Sequence, residues 1–348
     1  MTSSAYPPEW ERYSRQMRYA LLGVEGQRAL ARSRVLICGC GALGSALAEG
    51  LARAGVGFLR LIDRDYLELS NLQRQALFDE QQVRDLKPKA IAAAERLKQI
   101  NSTVVVEPIV ADVHAGNILS WLTDIDLILD GTDNFETRFL LNDAALEVGR
   151  PWIYAGVVGA HGQMMVIKPP DTPCLRCVLE EPPPPGSTET CDTAGILGPA
   201  VQAITALQAI AALKLLTRQE CPRPPNLLML DIWQSDLRKI DLSSLLDHPC
   251  PACRLGERRW LKGQCMSTSA VLCGRQAVQI TPPAGQSFSW DQLKHRWQEL
   301  TTVVETPYLL RSTLEGYELT LFRDGRAIIR GTTDPVVARS VYAKFIGG

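Results

Sequence analysis

The chain has 348 residues, 46% hydrophobic and 22% charged, with 37 basic against 38 acidic side chains and a formal net charge of -1. Such a composition excludes a disordered, collagenous or small disulfide-stapled protein, and at about 100 to 200 residues per domain the length predicts one large domain and a smaller one. Balanced charge leaves no global field to attract nucleic acid, so a specific partner is expected.

The N-terminus, MTSSAYPPEWERYSRQMRYALLG, puts charges and tryptophan where an export signal needs an apolar core, which predicts a cytoplasmic chain. From Arg34 a β-branched apolar run, a glycine turn, an Ala- and Leu-rich helix and a second apolar run make a βαβ unit. A helix over 87–100, the strand TVVVEPIV, a short helix near Ile118 and the strand DLILD come next. Strands alternating with helices predict an α/β fold with a doubly wound, Rossmann-like, mostly parallel sheet. After a helix over 135–148, PWIYAGVVG and GQMMVIKP have no helical spacer, so a hairpin should continue the sheet in mixed fashion. The segment EEPPPPGSTETCDTAG reads as an exposed, mobile loop.

Residues 194–213 carry no charge and are long enough to span a bilayer, but Pro199, Gln202, Thr205, Gln208 and two glycines point to a buried helix packed on a sheet, not to a membrane segment. The strand NLLMLDI comes after it. A large domain over 1–254 is thus succeeded by mixed charge and small residues over 255–274, read as a linker, and by a small α+β module over 275–348. In that module DQLKHRWQEL is a helix, and alternation on both sides of Asp324-Gly325 signals a hairpin.

Gly39, Gly41 and Gly44 form G-x-G-x-x-G between a strand and a helix, with Asp63 at the end of the next strand, 19 residues beyond Gly44. Glycines let the backbone approach phosphates at a helix N-terminus, and the acid can accept from ribose hydroxyls. The motif alone does not separate NAD from ATP. The residues beyond Asp63 argue against a dinucleotide dehydrogenase: Asp65, then SNLQRQ over 70–75, then Lys87 in DLKPKA. Arg74 and Lys87 are placed to reach a triphosphate. Asp130, Asp133 and Asn134 in DGTDN lie just past a strand's end, where a carboxylate suits Mg²⁺ shared with phosphates.

Cys174 with Cys177 and Cys250 with Cys253 form two Cys-x-x-Cys pairs separated by 72 residues. Four thiolates at this spacing match a closed, structural zinc site that staples distant parts of one fold, with redox-active pairs as the alternative. His248 beside the second pair is read as a bystander. Cys191, close before the helix expected from Ile196, is the candidate nucleophile, since a helix N-terminus favours thiolate. Cys38, Cys40, Cys221, Cys265 and Cys273 are read as structural. His114, His161, His248 and His295 form no recognisable triad.

RYSRQ, GCGALGS, DRDYLELSNLQRQ, KPK, DGTDN, CLRC, CDTAGILGP and CPAC occur in the order seen in the ThiF/MoeB/HesA adenylyltransferases, bacterial relatives of ubiquitin-activating enzymes. The chain resembles that family from about Arg12 to Arg254. The resemblance implies that the large domain is an adenylation domain, and that the protein is a homodimer that binds ATP and Mg²⁺ and activates the C-terminal Gly-Gly carboxylate of a ubiquitin-like sulfur carrier as an acyl-adenylate. It gives Asp63 the ribose, with Asp65 beside it, and Asn71, Arg74 and Lys87 the phosphates. Asp133 takes Mg²⁺ and adenylate formation, and Arg15 the partner's γ-phosphate. Cys174, Cys177, Cys250 and Cys253 match the zinc ligands, and Cys191 the cysteine that links to the carrier in some members. Ala42 departs from the glycine many members carry there.

With that activity a hydrophobic sheet face is expected to receive the carrier, the loop over 180–190 is hypothesised to cover its tail, and a cysteine desulfurase or other sulfur donor is a further expected partner. The C-terminal extension resembles ThiF proteins with an extra domain, which favours a thiamin-thiazole carrier over the molybdopterin carrier of MoeB. Two other classes stand beside this one: a NAD- or flavin-linked oxidoreductase, and a non-catalytic scaffold that keeps zinc and dimer. Gly347-Gly348 at the terminus is read as a frayed end, against the sharper reading of a carrier tail.

Overall fold

The computed structural model describes residues 8–184, 187, 189–191, 193–217, 221–265, 269–272, 276–282 and 288–347. The chain divides into two compact units, Met1–Cys265 and Met266–Gly348.

The first unit is a sheet of eight strands: β1 (Arg34–Cys38), β2 (Phe58–Asp63), β3 (Val105–Val110), β4 (Leu127–Asp130), β5 (Trp152–Val158), β6 (His161–Ile167), β7 (Asn226–Asp231) and β8 (Asp236–Asp241). Their spatial order is β3-β2-β1-β4-β5-β6-β7-β8. The first five pair in parallel and the last three add antiparallel, as the missing helical spacer predicts. The helices are α1 (Ser14–Met17), α2 (Gly23–Arg32), α3 (Ala42–Ala54), α4 (Glu80–Arg84), α5 (Lys89–Ile100), α6 (Phe135–Val148), α7 (Leu175–Val178) and α8 (Gly198–Leu216). Strand order turns back between β1 and β4, and in open α/β sheets that switch point opens a crevice at the strands' C-terminal ends.

Helix α8 is long and apolar enough to cross a membrane by length and composition. Its Val201, Ile204 and Ala212 instead join the core with α3 and the central strands. Of its two buried polar residues, Thr205 bonds back to Val201 O, and Gln208 donates from Nε2 to Asp130 O at 3.0 Å and Ile153 O at 3.2 Å, tying the helix to two strands.

The segment expected as a linker over 255–274 is divided between the units. Trp260 is buried, its ring 5.3 Å from that of Phe139 on α6, and the Trp260 and Leu261 amides donate to Asp143. Burial of a tryptophan outweighs the loop-like composition around it. Ser269–Leu272 is already strand β9 of the second unit.

That unit holds β10 (Ala277–Ile280), α9 (Trp290–Gln298), β11 (Val303–Glu305), β12 (Leu309–Leu314), β13 (Tyr317–Phe322), β14 (Ala327–Arg330) and α10 (Pro335–Phe345). Six antiparallel strands run in the order β11-β12-β13-β14-β10-β9. Leu319, Leu321 and Ile329 alternate toward Trp297 of α9 and Tyr342 of α10, so both helices cover one face. The β13–β14 hairpin turns at Asp324-Gly325 with Gly325 at φ +85, a left-handed conformation that favours glycine. The Gly347 amide bonds back to Tyr342 O at 3.2 Å, and Gly348 lies outside the described residues.

Candidate active site

The glycine loop joins β1 to α3 beside the loop after β4. Gly39 has φ +87, and a Cβ there would stand 2.6 Å from Gly131 O; one on Gly44 would stand 1.7 Å from Gly39 O. These two glycines are therefore required by the protein itself, which locks the two loops together. At Gly41 the case is different, because an added Cβ would meet nothing nearer than Gln75 Nε2 at 3.9 Å. Gly41 starts α3 with no side-chain cap, so first-turn amides are open to an anion.

Asp63 orders the floor of the site, accepting from the Cys40 amide at 2.6 Å and the Asp65 amide at 2.7 Å. Burial raises its pKa; Asp65 adds to this, while Lys89 and the two amides oppose it. Asp65 in turn takes Lys89 Nζ at 3.1 Å.

Lys89, not Lys87, is the lysine at this cluster. Lys87 pairs with Glu95 at 2.5 Å in a recess lined also by Gln81, Asp85 and Gln99. The expected helix start at 87 is the reason for the difference: α5 begins at Lys89, after Pro88, and the extended Pro88 turns its two flanking lysines to different environments. The Pro-Lys step at a helix start was the available sequence signal.

Three residues of DGTDN separate into three jobs. Asp130 is fully buried; it takes Arg138 Nε at 3.0 Å and both the amide and hydroxyl of Thr132, at 2.8 and 2.7 Å. Asn134 caps α6 by accepting from the Thr137 amide at 2.8 Å. Only Asp133 is left exposed at the end of β4. Of the two carboxylates in this trio, Asp133 is the one left open for the Mg²⁺ role that the resemblance implies. Arg138, which sequence reasoning passed over, is the counter-ion that fixes the turn, donating also to Thr132 O and Ala155 O.

Asn71 is buried and accepts from the Glu68 amide at 3.1 Å, closing the turn that presents Arg74. Half-buried Arg74 donates to Ser70 O at 2.8 Å. Arg15 is exposed on α1. Cys191 donates its thiol to Val157 O at 3.2 Å, at the C-terminal end of β5. The expected activation by a helix N-terminus is not provided: α8 begins at Gly198, seven residues on, and Ile196 forms a bridge with Gly159 instead. A helix dipole fades within about one turn. Cys191 is otherwise in a turn, with no helix or strand among the described residues of 180–195.

Cys174, Cys177, Cys250 and Cys253 bring their four Sγ atoms within 4.8 Å of one another. Neighbouring sulfurs stand 3.5, 3.6 and 3.8 Å apart. Four sulfurs about 2.3 Å from one zinc ion are about 3.8 Å from each other, so the cluster has the dimensions of a tetrahedral site. The pairs do not form separate redox couples; they make one four-sulfur cluster joining α7 to the segment before Trp260.

The sequence model described as the ThiF family matches residues 13–252. The Bacillus subtilis sulfur carrier protein ThiS adenylyltransferase is 43% identical over 97% of this chain and 99% of its own length. A sulfur carrier protein adenylyltransferase of Thermus thermophilus is 36% identical over 70% of this chain and 91% of its own. The zebrafish (Danio rerio) adenylyltransferase and sulfurtransferase MOCS3 is 40% identical over 67% of this chain, but only half of that protein is spanned. Among solved structures, E. coli MccB with ATP superposes with a TM-score of 0.60 at 22% identity, covering 72% of this chain and 75% of MccB, which supports the fold. With the family pattern matched over most of its length and a relative matched end to end, the chain belongs to the ThiF family.

Proposed function

We propose that this protein is an adenylyltransferase that uses ATP to activate the C-terminal Gly-Gly carboxylate of a ubiquitin-like sulfur carrier of the ThiS kind. The observation that carries the reading is the convergence, at one switch point, of an open glycine loop, Asp63, the Asp65–Lys89 pair and exposed Asp133. The second unit is matched along with the first in the B. subtilis relative, which supports a ThiS-type carrier over the molybdopterin carrier. An oxidoreductase gives the cation set no work, and a scaffold has no need to retain it.

A carboxylate is a poor acylating agent. In the proposed reaction its oxygen bonds to the α-phosphorus while the bond to the bridging oxygen breaks and diphosphate leaves with the electron pair, giving a mixed anhydride. Positioning and charge compensation are the protein's tasks, and no general base is needed. Amides of the Gly41 turn and α3 cradle the phosphates, Asp63 accepts from the ribose, and Lys89 and Arg74 compensate the charge on departing diphosphate. Mg²⁺ fits a site of hard oxygen donors made by Asp133 and the phosphates, and supplies charge neutralisation there.

The four cysteines hold zinc in a structural role, consistent with their tetrahedral dimensions and a reducing cytosol. Arg15 reaches the nucleotide of a second copy; exposed Tyr19 and Leu21 near it, and exposed Ile210 on α8, offer apolar surface for a homodimer. Leu228 and Leu230 pack with the core cluster, so their alternates Leu227 and Met229, with Arg238 and Ile240 opposite them on β8, lie on the other face of the sheet. That face, with Met229 and Ile240 exposed, receives the carrier. Cys191, whose thiol donates to Val157 O, is the group for any covalent link that comes after activation: its sulfur loses its proton to solvent and bonds to the acyl carbon, while the bond from that carbon to the phosphate oxygen breaks and AMP leaves with the electron pair.

Exchange of labelled diphosphate into ATP, dependent on magnesium and on a carrier with its terminal glycines, tests the proposal. A carrier lacking the last glycine should abolish exchange. Absence of exchange with a panel of intact Gly-Gly carriers overturns the reading.

A further inference from the structure

Arg64 stands between the two aspartates that close β2. Its Nη1 lies 3.2 and 3.3 Å from the two carboxylate oxygens of Asp112, just beyond the end of β3. Strands β2 and β3 pair with Asp63 beside Val110, so the arginine bridges from the Asp63 position to the outermost strand of the sheet. The guanidinium is half-buried. Burial acts against its charge, yet Asp112, Asp65, Asp133 and Asp63 outweigh that and push its pKa up.

Four carboxylates therefore surround the place where a polyanion is proposed to bind. Lys89 offsets one of them through Asp65. Removing Arg64 would make the field of these carboxylates more negative, and that field opposes a triphosphate. A nucleotide whose phosphates lie at the β1 loop and whose ribose meets Asp63 at β2 extends its base toward β3. That is the direction in which Arg64 reaches. A planar guanidinium there offers both compensating charge and a flat face for a sugar or purine.

We propose that Arg64, pinned by Asp112, is a positioning residue for the adenosine half of ATP and sets the enzyme's affinity for the nucleotide. The inference rests on the adenylyltransferase reading and deepens it. Sequence gives no sign of the role, since the residue falls inside D-R-D without a motif position of its own. It is distinct from Lys89 and Arg74, which serve the phosphates.

Full-length wild type, Arg64→Met and the double variant Arg64→Met with Asp112→Asn are compared by carrier-dependent diphosphate exchange, and by calorimetric titration with MgATP alone. Arg64→Met should raise the KM for ATP at least tenfold and weaken MgATP binding by the same factor, with kcat and the KM for the carrier within threefold. The double variant should stay weak, because removing the Asp112 charge does not restore the guanidinium. An unchanged KM for ATP in Arg64→Met overturns the inference. So does recovery of wild-type ATP affinity in the double variant, which would reduce Arg64 to a neutraliser of Asp112. If Arg64→Met does not fold, the double variant decides alone. Wild type that shows no exchange fails the adenylyltransferase reading, whereas wild type that exchanges while the variants match it fails only the role of Arg64.

Discussion

Two lysines flank Pro88, and replacing each in turn distinguishes the role implied by motif resemblance from the one given by position in the fold. Lys89 is 6% exposed in its side chain and pairs with an Asp65 that is 17% exposed. Lys89→Met keeps the apolar stem and removes the charge that Asp65 pairs with, at a cost of about 1 to 3 kcal/mol. At about 2 to 4 °C per kcal/mol for a domain of this size, the melting temperature should fall by less than about 12 °C, so the variant stays folded at 25 °C. Loss of a preorganised donor to a departing oxyanion costs about 3 to 4 kcal/mol in the transition state, or a hundred- to thousandfold in exchange rate. Lys87 is 26% exposed against a 46% exposed Glu95, a surface pair worth at most about 1 kcal/mol. Lys87→Ala should leave exchange within twofold. The assay is carrier-dependent diphosphate exchange with a thermal melt of each variant. Retention of exchange in Lys89→Met, together with its loss in Lys87→Ala, would refute the assignment and the geometry behind it.

Within DGTDN, Asp130→Ala should cost about 3 to 5 kcal/mol because it strands buried Arg138, whereas Asp133→Asn should leave the melt within about 0.5 kcal/mol and abolish exchange; calorimetry and exchange on the pair decide this, and a stable Asp130→Ala counts against it. Cys253→Ser should lose one equivalent of zinc per chain by elemental analysis and lower the melting temperature sharply, and zinc-free wild type of equal stability contradicts the staple. Asp63 titrates above the ordinary carboxylate range, chiefly because it is buried. The native state then holds this proton more tightly than the unfolded chain does, so the group's contribution to stability falls as pH rises from the unfolded pKa toward the folded one. ATP binding runs the other way, since a ribose hydroxyl needs the ionised acceptor. The KM for ATP should fall as pH rises through the window just above ordinary carboxylate pKa values, and Asp63→Asn should flatten that limb; a flat wild-type profile there rejects the assignment.

Elements whose ends carry local signals were legible from sequence. The helix over 135–148 starts at a capping asparagine and ends at Gly149 in the left-handed region, both local signals, and its bounds match α6. The antiparallel continuation was legible from the lack of room for a crossover between two apolar runs. Strand β8 was not legible. It reads DLRKID, is exposed along nearly its whole length, and owes its place to backbone pairing with β7 rather than to burial. Charge on such an edge discourages further pairing, so the feature that hides the strand from periodicity is also the one that terminates the sheet.

The site divides along a similar line. Gly39, Gly41, Gly44 and Asp63 were legible because a glycine loop between strand and helix is a local device, set by steric demands within a few residues. Lys89, Arg138 and Arg64 were not, because each acquires its role from a carboxylate on a different strand or from a sheet register. Asp130 shows the difference most plainly. As a letter in DGTDN it is one carboxylate of two, and nothing in the letters shows which of them is buried. In the fold it is fully enclosed, its oxygens committed to Arg138 and Thr132, while its backbone carbonyl receives Gln208 from α8. The uncharged helix that resembled a membrane span and the buried acid are thus parts of one arrangement, which fixes the start of the β4 loop and leaves Asp133 as its exposed carboxylate.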